Sequence, residues 1–207
     1  MKGISLPINN RGFSYEELFK IYIVDKKSVA YIASHLKCSQ NKINYWLLKH
    51  GIKKRSIADA MYLHKNPLGD PFAQHQPKSL NEGILFGMGL GLYWGEGSKR
   101  GTGGVRITNS DPRLLNKFIE FLETFFGIER SALRFSLQVF NDISLDAALN
   151  YWIRELRVKR KQFYKVIVSK VRGDGTYRYR SEHGVIIVYF NNIKLKRIIC
   201  GMIDNMK

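Results

Sequence analysis

Of the acidic residues in this 207-residue chain, Glu96 stands in the setting best suited to chemistry. It follows Gly87, Gly91 and Gly95, which recur every fourth residue within NEGILFGMGLGLYWGEGSKR, Asn81 to Arg100. On a helix that spacing makes a strip without side chains, along which a second helix backbone can come close. Glycine inside a helix costs about 1 kcal/mol relative to alanine, so the composition predicts a close neighbour that offsets it. Glu96 then lies at the foot of the strip, where a two-fold-related copy would bring a second carboxylate beside it. The plainer alternative is a helix packed on a sheet with Glu96 solvated. A carboxylate at a helix C-terminus is electrostatically unfavourable, which argues for a reason beyond packing.

The elements that must position this residue, and what they act on, follow from charge and periodicity. Lys and Arg number 34 against 17 acidic residues, a formal net charge of +17 that points to a polyanion. Residues 1–80 hold 13 basic and 5 acidic residues, and residues 81–207 hold 21 and 12, so both halves are expected to touch it. The hydrophobic fraction, 44%, suffices for real cores. No apolar run has the length of a membrane span, and MKGISLPINNRG lacks the apolar core of a signal peptide. Cys38 and Cys200 have no ligand-spaced partners and read as reduced core thiols of a cytoplasmic protein. His64 and His75 likewise read as exposed.

Three helices are predicted near the N-terminus. Ser14 caps the first, with Glu17 completing a capping box and Tyr15, Leu18, Phe19 and Tyr22 on its apolar face, ending near Val24. Ser28 caps the second, carrying Val29, Ile32, Ala33 and Leu36; Ser39 caps the third, carrying Ile43, Trp46 and Leu47. Two short helices across a break of about three residues read as helix-turn-helix. SVAYIASHLKCSQNKINYWLLKHGI resembles the DNA-binding module of many bacterial and phage regulators and recombinases, with Lys37 where such modules often carry glycine. With the third helix in a major groove, Gln40, Asn41, Asn44 and Tyr45 would meet base edges, the amides suiting adenine. Lys42, Lys49, Lys53, Lys54 and Arg55 would meet phosphate. The domain is placed at 1–65, with a Pro- and Gly-punctuated linker at 66–80 that SIADAMYLHKN enters as two or three helical turns.

Residues 81–207 form the second domain. After the glycine helix come a strand Val105 to Thr108, a helix capped by Asp111 with Pro112 at its first position and stopped by Gly127, and a strand Leu133 to Phe140. A helix from Leu145, strands Phe163 to Val171 and Val185 to Phe190, and a helix Asn192 to Met206 complete an α-β-α-β-α-β-β-α order, with a further strand allowed at 97–102. The class is α+β: an all-α helix-turn-helix domain followed by a mixed α/β sheet domain with a glycine-rich dimer-interface helix. From Arg154 to Arg180 ten basic residues face two acidic ones, among Phe163, Tyr164, Tyr177 and Tyr179, which suggests a sheet face and hairpin tip laid on a duplex. Lys99, Arg100, Arg106, Arg134, Lys165, Lys170, Arg172, Arg178 and Arg180 are the DNA-contact candidates there. Capping explains Asp111 better than catalysis does.

GLYWGEG, Gly91 to Gly97, resembles the second half of the LAGLIDADG motif of homing endonucleases, with Glu96 at its final acidic position. VRITNSDPRLLNKFIEFLETFFGI, Val105 to Ile128, is similar to the strand and NSDP helix start that follow the motif there. The resemblance covers about 125 residues. It implies saddle-shaped sheets on DNA and, with one motif per chain, a homodimer joined through Gly87, Gly91 and Gly95 on a palindromic or nearly palindromic site. It also implies that Glu96 of each copy holds a divalent cation, Mg²⁺ or Mn²⁺, over a scissile phosphate. A lysine near the metal-bound water is frequent in the family; Lys165 is assigned that role on strand position, with Lys99, Arg106 and Lys170 behind it. Trp94 stands at the motif's other acidic position and glutamate replaces aspartate at the last, so Glu96 is the only motif carboxylate.

The expected function is therefore a sequence-specific, metal-dependent endonuclease of double-stranded DNA. The alternatives are a non-catalytic DNA-binding regulator built from the same parts, as some relatives with this fold are, and a nuclease for branched DNA.

Overall fold

A computed structural model describes residues 12–101, 103–170 and 182–206. The chain divides into two compact units, 1–70 and 71–207. Among the described residues no helix is long and apolar enough to cross a membrane.

In the first unit, α1 (Tyr15–Phe19) runs on as a π turn, Lys20–Val24. It is followed by α2 (Val29–His35), α3 (Gln40–Lys49) and α4 (Ile57–Lys65). Each start is a serine whose Oγ accepts a backbone N–H three residues on: Ser14 from Glu17, Ser28 from Tyr31, Ser39 from Lys42 and Ser56 from Asp59, at 3.1–3.2 Å. Leu18, Tyr22, Ile32, Ala33, Ile43, Leu47 and Ile52 meet in one buried cluster, whereas Tyr15 and Phe19, expected on the first helix's apolar face, are exposed. The α2–α3 turn puts Lys37 at φ 51°, in the left-handed region that costs a side-chain-bearing residue about 1 kcal/mol. Lys37→Gly is accordingly expected to raise this unit's unfolding free energy by up to about 1 kcal/mol, read from the urea midpoint; a lower midpoint would refute the strain.

The second unit contains α5 (Leu80–Glu96), β1 (Val105–Asn109), α6 (Pro112–Phe126) and β2 (Arg134–Phe140). Then come α7 (Leu145–Leu156), β3 (Ile167–Ser169), β4 (Val185–Phe190) and α8 (Ile193–Asp204). The architecture is α+β, with the described residues forming a four-stranded mixed sheet in the order β1-β4-β2-β3, antiparallel except for the β2–β3 pair. Of the strand expected at 163–171, the described residues pair as a strand at Ile167–Ser169, preceded by a single bridge from Phe163 to Phe135, and Val171 lies outside them. The segment after Glu96 contributes one bridge, Gly97 to Ile107, rather than a strand.

Alternation sorts the sheet into two faces. Val105, Ile107, Phe135, Leu137, Val139, Ile186, Val188 and Phe190 point into a core shared with the helices, where Phe118, Phe121, Leu122, Phe125 and Trp152 are also buried. Asp111 accepts from Arg113 N at 2.8 Å and caps α6, and the Arg113 guanidinium beside it holds its carboxyl below the usual range. Gly127, at φ 60°, stops α6 in the left-handed conformation. Part of the segment expected as a linker belongs to this unit. Ala73 N and His75 N donate to Phe126 O and Phe125 O, both at 2.9 Å, while Phe72 packs on the core.

The glycines of α5 divide between two roles. Gly89, outside the four-residue series, is buried against α6, and a Cβ there would lie 2.1 Å from Phe121 Cγ. Gly89→Ala is expected to destabilise the unit by about 1–3 kcal/mol despite alanine's better helix propensity, with the thermal midpoint as readout; an unchanged midpoint would contradict the packing.

Candidate nucleic-acid interface

Gly83, Gly87, Gly91 and Gly95 have nothing of their own chain within 4 Å of the place a Cβ would occupy. The helical period sets them on one face with Leu80, Ile84, Met88 and Trp94, which are 80%, 55%, 44% and 48% exposed. An apolar strip this long with a glycine floor is turned outward, while Leu90 and Tyr93 anchor the other side of the helix in the core. Among the described residues, the close neighbour that the glycine spacing calls for is not present.

Glu96 is the last residue of α5 and is exposed. On one side it adjoins Gly95 of the strip and on the other Gly97, which bridges to β1. The turn beyond it is tied down from beneath. Tyr93, buried, donates through its hydroxyl to Ser98 O at 3.1 Å, and burial above all, with Cys200 adding to it, pushes its phenol up to about 12. Ser98 N donates to Arg106 O at 2.9 Å. Lys196, only 3% exposed, donates through Nζ to Arg100 O at 2.8 Å and Gly101 O at 3.1 Å. Lys99 Nζ donates to Trp94 O, the carbonyl two residues before Glu96. Glu96 therefore sits on a held frame with a cation, Lys99, beside it.

Glu96 offers a carboxylate, an oxygen donor that suits a hard cation. No group of three His, Cys, Asp or Glu residues is gathered among the described residues, so a cation at Glu96 would complete its shell from water and phosphate.

The sheet face turned away from the core carries the polar candidates. Arg106, Tyr189 and Arg134 are register partners in one row across β1, β4 and β2, which at about 4.8 Å per strand sets the two arginines about 10 Å apart. Arg106 lies over the Tyr189 ring at 5.2 Å, and Tyr164 meets the same ring at 5.7 Å while accepting from Asn191 Nδ2 at 2.9 Å. Exposed Thr108 and Gln138 extend this face. Tyr189 is not among the residues singled out from sequence, though its outward parity in VIIVYF marks it. Lys196 gives no such sign, because it is a lysine on an amphipathic helix until the 100–101 carbonyls are seen above it.

Lys165 does not join Glu96. Gly97, Ile107, Val188, Phe135 and Phe163 form one continuous row, so the residue after Glu96 and the residue two before Lys165 end a line of four strand spacings, about 19 Å. Phe163 stacks on Phe135 and Val166 packs on the core, while Tyr164 and Lys165 are both exposed. Within its own chain Lys165 is thus set across the sheet from Glu96, and Lys99 is the lysine at that end of α5. Lys170 is exposed just past β3, and Arg100 beside Lys99. Arg172, Arg178 and Arg180, with Tyr177 and Tyr179, lie outside the described residues.

In the first unit, α3 presents Gln40, Asn41 and Tyr45 outward. Asn44 is half-buried, and its Oδ1 is a buried acceptor with no hydrogen bond. Lys49 lies over the Trp46 ring at 4.5 Å and Lys42 over Phe13 at 5.4 Å, while Lys53 and Lys54 are exposed. Arg55 is committed to the fold instead of to solvent: it stacks on Tyr22 at 4.1 Å and donates to Tyr22 O and to Lys26 O.

No family model, curated protein or solved structure matches the chain. Its function is argued from its own residues.

Proposed function

We propose that this protein is a metal-dependent endonuclease of double-stranded DNA that works as a homodimer of the LAGLIDADG type, with its N-terminal helices acting as a helix-turn-helix that adds site preference. The observation that carries this reading is the outward glycine strip of α5 ending at Glu96: four glycines that touch nothing in their own chain, followed by a carboxylate on a braced turn. A second α5 packed on that strip buries the exposed Leu80, Ile84, Met88 and Trp94 and sets one Glu96 of each chain near the two-fold axis. The duplex then runs across the open sheet face, over Arg106, Tyr189 and Arg134.

A divalent cation, when bound, supplies Lewis-acid polarisation of the scissile phosphate and an activated water. The chain's own part is to hold the carboxylate. The bonds from Tyr93, Lys196 and Ser98 fix the turn that follows it, and Lys99 places positive charge where a phosphate would arrive. Sedimentation tests the first step: a 24.0 kDa chain should run as a dimer of twice that mass, and a monomer at every micromolar concentration would overturn the arrangement.

A second reading, a DNA-binding regulator without cleavage, draws on one specific observation, that Lys165 lies across the sheet from Glu96. In that case the same dimer and sheet hold DNA intact.

A further inference from the structure

At the end of β2 the open face runs into a cleft of about 390 Å³ lined by Arg130, Ser131, Arg134, Arg157, Lys159, Lys161 and Gln162. Its two walls are the turn before β2 and the turn after α7, and buried side chains lock them together. Gln162, 5% exposed, donates through Nε2 to Arg130 O at 2.7 Å and Leu133 O at 3.1 Å, and accepts from Lys159 N at 2.9 Å. Arg130 is spent inside this frame, paired with Glu123 at 2.9 Å and donating to Leu156 O at 2.8 Å. The other four cations, Arg134, Arg157, Lys159 and Lys161, form no ion pair with a carboxylate among the described residues. Glu129, beside the rim, accepts from Ser131 Oγ.

Arg157 adds an independent sign. It ends α7 at φ 53°, the position and conformation where glycine is favoured, yet the chain places an arginine there and aims it at the cleft. A large side chain kept in a left-handed backbone beside Lys159, Lys161 and Arg134, whose guanidinium donates to Ser131 O and Leu133 O, gathers like charge at a strained position without a carboxylate to offset it.

We propose that this cleft is a preorganised phosphate-binding site, and that its ligand is a backbone phosphate of the same nucleic acid that crosses the sheet. Guanidinium and ammonium groups on a rigid frame suit phosphate oxygens. The cleft prolongs the Arg106–Tyr189–Arg134 row by one strand position, because the Phe135–Phe163 bridge sets Gln162 beside Arg134. A duplex lying on that row reaches the cleft with its backbone, so the inference rests on the DNA reading above.

The test compares the full-length protein with an Arg157→Gly, Lys159→Ala, Lys161→Ala triple variant, measuring duplex affinity from 50 to 300 mM salt. Each lost phosphate contact flattens the log–log salt dependence by about 0.9, so the expected change is about 2 to 3. The melting temperature should not fall, since glycine relieves the Arg157 backbone. An unchanged slope in a folded variant overturns the proposal, whereas a wild-type protein that binds no duplex overturns the DNA reading beneath it. In a parallel arm with inorganic phosphate and pyrophosphate, stabilisation of wild type but not of the variant, together with an unchanged DNA slope, would assign the cleft to a free phosphate and refute the backbone assignment.

Discussion

Glu96→Gln should abolish metal-dependent strand cleavage, at least about a thousandfold in rate, while leaving duplex affinity and melting temperature within error of wild type. Glutamine keeps the shape of the side chain and removes the charge that would hold a divalent cation. A metal's Lewis acidity supplies several kcal/mol of transition-state stabilisation, and each 1.4 kcal/mol is tenfold in rate. The fold should not notice, because Glu96 is exposed and the turn beyond it is held by Tyr93, Ser98 and Lys196 rather than by the carboxylate. The dimer makes a sharper version available. If each chain supplies one carboxylate, mixed dimers of wild type and Glu96→Gln should nick one strand of a symmetric site where wild type cuts both. Full double-strand cutting by the variant would remove Glu96 from the chemistry.

Gly91→Leu should convert the dimer to a monomer and weaken duplex binding more than a hundredfold, without unfolding either unit. The position is exposed, with nothing of its own chain near its would-be Cβ, so the monomer gains up to about 1 kcal/mol of helix propensity. The same side chain would stand in the middle of the face that two α5 helices must share, where the glycines let backbones approach. Losing half of a two-part contact with DNA forfeits the effective-concentration gain of the linked half, typically 10²–10⁴. The contrast with Gly89→Ala is the control: one glycine packs against Phe121 within the chain, the other is turned outward. A Gly91→Leu protein that remains dimeric would place the interface elsewhere.

Much of the local structure was legible because it depends on neighbours in sequence. The serines at 14, 28 and 39 cap the helices that their spacing announced, Asp111 caps α6, and Gly127 ends it. The alternation of Leu133 to Phe140 gave the two faces of β2, with Phe135, Leu137 and Val139 inward. The α-β-α-β-α-β-β-α order followed from switching periods along the chain.

What required the structure depends on long-range pairing. Strand position says nothing of strand order, and β1, β4 and β2 lie between the segments that carry Glu96 and Lys165. Which glycine of α5 lies inward turns on where Phe121 of α6 lands. Arg55 carries the same charge as Lys53 and Lys54, yet the Tyr22 ring and carbonyl claim it. Gln162 and Lys196 are polar residues whose burial is compensated by carbonyls far off in sequence, so their hydropathy pointed the wrong way.

The central claim is that this chain cuts DNA with Glu96 at the foot of a shared helix pair. The most direct measurement is sequencing of the ends produced from a randomised linear duplex library by the wild-type protein in Mg²⁺, in Mn²⁺ and in chelator. Double-strand ends at a nearly palindromic sequence are expected in either metal and none in chelator. A library retained by the protein yet left intact in both metals would contradict it, and would establish the DNA-binding regulator in its place.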